Sequence, residues 1–312
     1  MKQDLMGVFP LWKPKGMTSF SAVREVGKRF GTKKAGHTGT LDPDVEGVLP
    51  ICLGRATKIV EYLTADNKTY VGEVTLGFTT TTEDASGEKV NETIVDRSIS
   101  EEDAKHVLSN LVGPLEQTPP MYSAVKVKGK KLYEYAREGI EVERPSRMIT
   151  IYQLELLTAP NINADGTVSF YFRAVCSKGT YIRTLSVTIG EKLGFPAHMS
   201  HLVRESSGSF HRKDCITLDQ LDKAVENESA TELLIPVETA LSMFPIIKVD
   251  EVIEGKVLQG GIISIPEEVV NLDESVWALY NQYGDCLALY KRDVKRAGKM
   301  KPEKMIRTLD QM

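Results

Sequence analysis

The sequence predicts an α+β protein built of two units. Two periodicities predict the class: period-two alternation near residues 68–78, 148–158 and 167–176, and three- to four-residue apolar spacing over 21–30. A break predicts the division. Past Phe244 the strand and helix pattern starts afresh, after an acidic stretch over 219–238 that reads as the linker region. At 312 residues the chain accommodates a large domain, 1–240, and a small β-rich one, 244–312.

Taken in order, residues 8–12 read as a short strand closed by a Lys13-Pro14-Lys15-Gly16 turn. Thr18 or Ser19 is placed to cap a helix over 21–30, whose buried face should carry Phe20, Val23, Val26 and Phe30. The most punctuated stretch follows, Gly36-His37-Thr38-Gly39-Thr40-Leu41-Asp42-Pro43, then Gly47 and the apolar run Val48-Leu49-Pro50-Ile51-Cys52-Leu53. A residue before proline is pushed into extended backbone, so Asp42 belongs on a taut loop beside a buried strand. A carboxylate there serves either as a nucleophile or as the cap of an Asx-Pro turn. Residues 56–64 read as a helix.

On the strand over 68–78, Tyr70, Gly72, Val74 and Leu76 share one side. Tyr70 is thus a buried-face tyrosine, for which a satisfied core hydroxyl is the ordinary explanation. Residues 79–84 read as a polar loop, and Ser100 with Glu101, Glu102 and Asp103 opens a helix with acids at its positive end. Residues 117–147 change character, interleaving Lys126, Lys128, Lys130 and Lys131 with Tyr122, Tyr133 and Tyr135. Cations for phosphates and rings for stacking suit RNA, while Leu132, Tyr135 and Ala136 equally make a helix's packing face. Arg183 stands in the first turns of a helix that runs on to Leu193. Flanked by Ile182 and Leu185, it needs an acid partner, and Asp42 is a candidate. Residues 197–210 read as a strand and 216–225 as a short helix. In the last unit, strands near 246–249, 275–280 and 285–291 surround a helix over 251–258.

Composition narrows the class. With 41% hydrophobic and 26% charged residues the chain is an ordinary globular one. It shows no apolar core of signal-peptide length and no run near the roughly 18 apolar residues of a membrane span, so a cytoplasmic protein without membrane contact is expected. Cys52, Cys176, Cys215 and Cys286 are far apart and form no CxxC pair, which argues for reduced thiols. No P-loop, dinucleotide fingerprint or metal-ligand cluster is present, and neither cofactor nor metal is expected. The net charge of −4 hides basic regions at 1–60 (10 Lys/Arg against 5 Asp/Glu), 121–150 (7 against 4) and 290–312 (8 against 3). Such regions make either an electrostatic footprint for nucleic acid or ordinary solvated surface.

Several segments carry a more specific signal. They are Lys13-Pro14-Lys15-Gly16-Met17-Thr18-Ser19, the stretch from Gly36 to Pro43 with Gly47-Val48-Leu49-Pro50, Ala56-Thr57-Lys58, Lys68-Thr69-Tyr70, residues 117–135, and Lys178-Gly179-Thr180-Tyr181-Ile182-Arg183-Thr184-Leu185. Together they resemble the TruB family of tRNA pseudouridine synthases over nearly the whole chain. The resemblance implies a catalytic domain with a mixed, mainly antiparallel central sheet flanked by helices, a thumb-like insertion at 117–147, and a PUA-like RNA-binding domain at the C-terminus. It implies isomerisation of uridine to pseudouridine at position 55 in the T loop of tRNA, by a lone, monomeric chain with no obligatory protein partner. Asp42 matches the nucleophile, Arg183 its pairing arginine, and Tyr70 the tyrosine that stacks on the flipped base. His37 and Leu202 match RNA and pocket contacts, and Lys13, Lys58, Lys128 and Lys130 are expected to bind substrate. Glu46 departs from the small or hydroxylic residues usual at its place.

Overall fold

A computed structural model describes residues 5–270 and 275–309. Strand β1 (Met6–Lys13), helix α1 (Ser19–Arg29), β2 (Ala35–His37) and β3 (Glu46–Gly54) come first. A 3-10 turn over Arg55–Ile59 and helix α2 (Val60–Ala65) lead to β4 (Lys68–Leu76), the hairpin β5 (Phe78–Thr80) and β6 (Lys89–Glu92), and α3 (Glu101–Asn110). Next are β7 (Gly113–Gln117), the hairpin β8 (Lys126–Val127) and β9 (Lys130–Lys131), α4 (Leu132–Arg137), β10 (Arg147–Leu156), β11 (Asn161–Ile162) and β12 (Val168–Cys176). Helix α5 (Ile182–Leu193), β13 (Ala197–Ser207), β14 (Phe210–His211), α6 (Leu218–Glu226) and α7 (Val237–Ala240) complete the large unit.

The central sheet runs β1-β3-β13-β4-β12-β10-β7, and among its described pairings only β13 with β3 is parallel. It is mixed and mainly antiparallel, as expected. Helix ends follow local chemistry. The Thr18 hydroxyl accepts from Ser21 N at 3.0 Å, and Ser100 with Asp103 and Thr217 with Gln220 form reciprocal capping boxes. β3 explains its own unbroken apolar run. Leu49, Ile51 and Leu53 pack into the core under α1, while Val48 and Cys52, facing the other way, enter a second core. A strand covered on both faces has no polar side to alternate with.

That second core is shared with the C-terminal unit. There β15 (Ile246–Lys248), β16 (Ile263–Ser264), β17 (Trp277–Tyr280), β18 (Cys286–Arg292) and β19 (Lys299–Met305) form a sheet of order β15-β17-β18-β19-β16, and α8 (Glu251–Leu258) packs against it. Ala278, Cys286, Leu289 and Ile306 pack with Val8, Val48 and Cys52 of the central sheet.

Three sequence expectations change. Residues 219–238 are not a free linker: α6 is tied to α1 by Arg29 Nε, 2.6 Å from Asp222 Oδ1, and Val8 and Ile235 exchange two backbone hydrogen bonds of 2.9 Å. Asp219, Glu226, Glu228 and Glu232 face solvent, Asp222 and Glu238 are half-buried in ion pairs with Arg29 and Arg307, and Leu221, Ala224 and Val237 are buried. Residues 79–84 are not all loop, since β5 pairs with β6. Phe20 is not on the buried face of α1, which is Ser19, Ala22, Val23, Val26 and Gly27; the helix begins early enough to turn Phe20 outward, 69% exposed.

Candidate active site

Arg183 lies in the first turn of α5, with its side chain only 5% exposed. It reaches across to the loop before β3, where its Nε is 3.1 Å from Asp42 Oδ2 and its Nη2 3.5 Å from Oδ1. Nη1 donates to Thr82 O at 3.0 Å and Nη2 to Tyr122 O at 2.9 Å. One guanidinium therefore gathers three chain segments around a single carboxylate. Asp84 Oδ2 stands 3.8 Å from Nε, and Glu83, held at φ +64°, accepts from the Thr184 hydroxyl at 2.6 Å. Burial pushes the Asp42 carboxyl above its ordinary value, Asp84 adds to the rise, and Arg183 opposes it. Arg183 thus lowers the value as its charge requires, but loss of water around the carboxylate outweighs it.

The floor beneath this pair is fixed by cations on backbone carbonyls. Lys13 is fully buried, and its ammonium donates to Met17 O (2.7 Å), Pro14 O (2.8 Å) and Pro43 O (3.2 Å). It clasps the residue after Asp42 and faces inward, so the expectation that Lys13 meets substrate is corrected: it holds the loop. Burial pulls its pKa down to about 8. Ser19 adds a second clasp, its Oγ accepting from Leu41 N at 2.8 Å and donating to Leu41 O at 3.0 Å. Lys68 donates to Asp66 O at 2.6 Å and Thr64 O at 2.8 Å and is likewise lowered to about 8.

Arg204 on β13 is the functional residue the sequence reading passed over. It is buried, with Nε donating to Val48 O at 2.7 Å and Nη2 to Gly39 O at 3.1 Å, so it braces both ends of the Asp42 loop. The backbone of Arg204 is approached so closely by Gly47 (φ +131°) that a Cβ there would stand 2.3 Å from Arg204 O. Only glycine fits. The available signal was period two: Arg204 shares a strand face with buried Leu202, where a charge is out of place.

Asp42, Tyr70, Arg183, His37 and Leu202 all line one cleft of about 1330 Å³. Tyr70 is buried on β4, and burial raises its pKa against the pull of Arg204. His37 ends β2, its Nδ1 accepting from Gly39 N at 3.2 Å, and burial lowers its pKa. Leu202 sits opposite Gly72 of β4. Among the described residues no cluster of His, Cys, Asp or Glu could hold a metal ion.

The family model described as TruB family pseudouridylate synthase (N terminal domain) matches residues 27–182, and that of the tRNA pseudouridylate synthase B C-terminal domain matches 183–242. A tRNA pseudouridine synthase B of Bacillus pumilus is 52% identical, covering 96% of this chain and 97% of its own. One of Geobacillus thermodenitrificans is also 52% identical, covering 96% and 99%. The chain belongs to the TruB family of pseudouridylate synthases. It is therefore an isomerase that makes pseudouridine. Solved structures agree in fold: the Cbf5-Nop10-Gar1 complex matches with TM-score 0.73 and 27% identity over 97% of this chain and 86% of that one. An H/ACA RNP bound to a substrate RNA containing 2'-deoxyuridine matches with TM-score 0.72 and 25% identity over 98% and 86%.

In this TruB chain the basic segment over 117–147 divides into free and engaged cations. Lys128 takes φ +50° before Gly129 at φ +85°, the primed turn that a two-residue hairpin demands, and its side chain is exposed at the tip. Lys130 is instead paired with Glu138 and lies 4.8 Å from the Tyr135 ring centre. Arg137 and Lys131 each lie 5.3 Å from the Tyr133 ring centre. These tyrosines are occupied by the segment's own cations. Lys58 donates to Met305 O at 2.5 Å, binding the large unit to β19. It faces the C-terminal unit and does not line the cleft.

Proposed function

We propose that the chain isomerises uridine to pseudouridine at position 55 in the T loop of tRNA, with Asp42 as nucleophile on a flipped-out base. The observation that carries this reading is the Arg183–Asp42 pair on the floor of the cleft. The N1 glycosidic bond breaks, uracil turns over, its C5 bonds to C1′, and the C5 proton is lost as N1 gains one. Asp42 acts ionised, and Arg183 supports that form. Freeing the uridine from its stack costs a few kcal/mol. Stacking on Tyr70, with His37 at the cleft wall, offsets part of this, since base–aromatic stacking contributes roughly 1–3 kcal/mol. The near-full-length relatives named tRNA pseudouridine synthase B support tRNA as substrate.

The test is tritium release from a tRNA transcript labelled at uracil C5, with wild type and Asp42→Asn side by side. Release by the wild-type chain alone is expected. Release by both would move the nucleophile elsewhere. No release by either would withdraw the stand-alone reading in favour of a chain that needs protein partners, as in the Cbf5-Nop10-Gar1 complex. Tyr70→Ala should lose most turnover, and Tyr70→Phe, which keeps the ring, should retain tRNA binding.

A further inference from the structure

We propose that one side of α1, formed by Phe20, Arg24 and Lys28, is an RNA-contact stripe leading out of the cleft: Phe20 stacks on a base next to the flipped uridine, and Arg24 and Lys28 meet phosphates beyond it. This rests on the reading of the cleft as an RNA site. Three observations carry it. Phe20 lines the catalytic cleft yet is 69% exposed, a large ring turned to water at the rim. Its backbone neighbour Ser19 is clasped to Leu41, so the helix start that carries the ring is anchored to the loop that bears Asp42. Arg24 and Lys28 follow at four-residue steps, both exposed and without an acidic partner among the described residues, and Lys15 is exposed on the same rim.

The helix is sided. Its acid, Glu25, is tied to Arg29, and Arg29 to Asp222 of α6, on the flank away from Phe20. Residues at i, i+4 and i+8 form a ridge along a helix, and this ridge starts with an aromatic ring and continues with cations. A flipped nucleotide leaves its neighbour without a stacking partner, and an aromatic face replaces it for any base. Arg24 and Lys28 lie outside the cleft lining, further along α1 than Phe20, and a polyanion is the occupant their unpaired charge suits.

Binding of the tRNA transcript is measured across a salt series, in the Asp42→Asn chain so that no turnover intervenes. Phe20→Ala should weaken binding about tenfold with an unchanged salt slope, because stacking releases no counterions. Phe20→Trp should restore affinity and Phe20→Leu should not. Arg24→Gln with Lys28→Gln should weaken binding and flatten the slope by about 1.4–1.8. Wild-type affinity for Phe20→Leu would overturn stacking, and an unchanged slope in the double variant would overturn the phosphate contacts. All these residues are exposed, so melting temperatures should stay put. Tritium release by the wild-type chain separates failure of this stripe from failure of the proposed reaction.

Discussion

The floor of the cleft and the 117–147 segment on its wall, expected to serve as a thumb, are both rich in cations and use them in opposite ways. On the floor, Lys13, Lys68 and Arg204 are buried, and each donates to backbone carbonyls of the loops it braces. On the thumb, Lys126 and Lys128 stand in solvent. An ammonium cut off from water must find lone pairs in the protein or lose its charge, so burial turns a cation into a fastener. An exposed one keeps its charge for phosphate. Counting positive residues along a sequence merges these two uses, and burial separates them.

The largest expected effect breaks the floor. Arg183→Met removes the partner of Asp42 and releases the Thr82 and Tyr122 carbonyls, so single-turnover rate should fall by more than about a hundredfold. Affinity for tRNA should change little. Arg183→Lys should not rescue, because an ammonium cannot span the fork of acceptors a guanidinium fills. Near-normal turnover in either variant would remove the ion pair from catalysis.

A pair of glycine substitutions sharpens the contrast by stability. Gly47→Ala drives a methyl into Arg204 O and should cost more than about 2 kcal/mol in urea unfolding. Gly129→Ala, at φ +85° in open space at the thumb tip, carries only the left-handed backbone cost of about 1–2 kcal/mol. Equal losses would mean that the floor yields as readily as the thumb.

How much of this was legible in the sequence follows the same line. Period-two alternation placed Tyr70 on the buried side of β4, and the Asp42-Pro43 step placed the carboxylate on an extended loop, because both are local signals. The Arg183–Asp42 contact joins residues far apart in the chain; a buried arginine demanded an acid, and the family resemblance named it. Arg204 carried only the period-two mark of a charge on a buried face and Asp84 carried none, since their roles depend on which backbone carbonyls and charges the sheet brings beside them. Lys13 misled for that reason too: a lysine beside prolines and glycine looks like surface until Pro43 O is found against it. Phe20 misled because a three-residue step back from Val23 lands at the edge of the buried face, where the ring turns to the cleft rim.

The acid limb of the rate profile tests the charge balance on the floor. On the proposed reaction Asp42 acts ionised, so rate should be full above its pKa and lost as pH falls through it. With that pKa raised, the loss should begin above the ordinary carboxylate range. Asp84 contributes to the rise, so Asp84→Asn should move the midpoint to lower pH even where it lowers the plateau. A midpoint moving upward would show that Asp84 acts on Asp42 mainly by holding Arg183 in place.

The smallest effect lies within the thumb, between two lysines two positions apart. Lys128→Gln removes a charge with no partner among the described residues, so tRNA affinity should fall about threefold and the salt slope flatten by about 0.7–0.9. Lys130→Gln removes a charge already shared with Glu138 and the Tyr135 ring, so its slope should move less. Glu138→Gln makes the sharper test, because it frees Lys130 without adding a cation. If engagement is what keeps Lys130 from RNA, that variant should bind more tightly and with a steeper slope. Equal slopes for Lys128→Gln and Lys130→Gln, with Glu138→Gln neutral, would mean that the Lys130–Glu138 pair opens when RNA arrives, and that the thumb keeps none of its cations for itself.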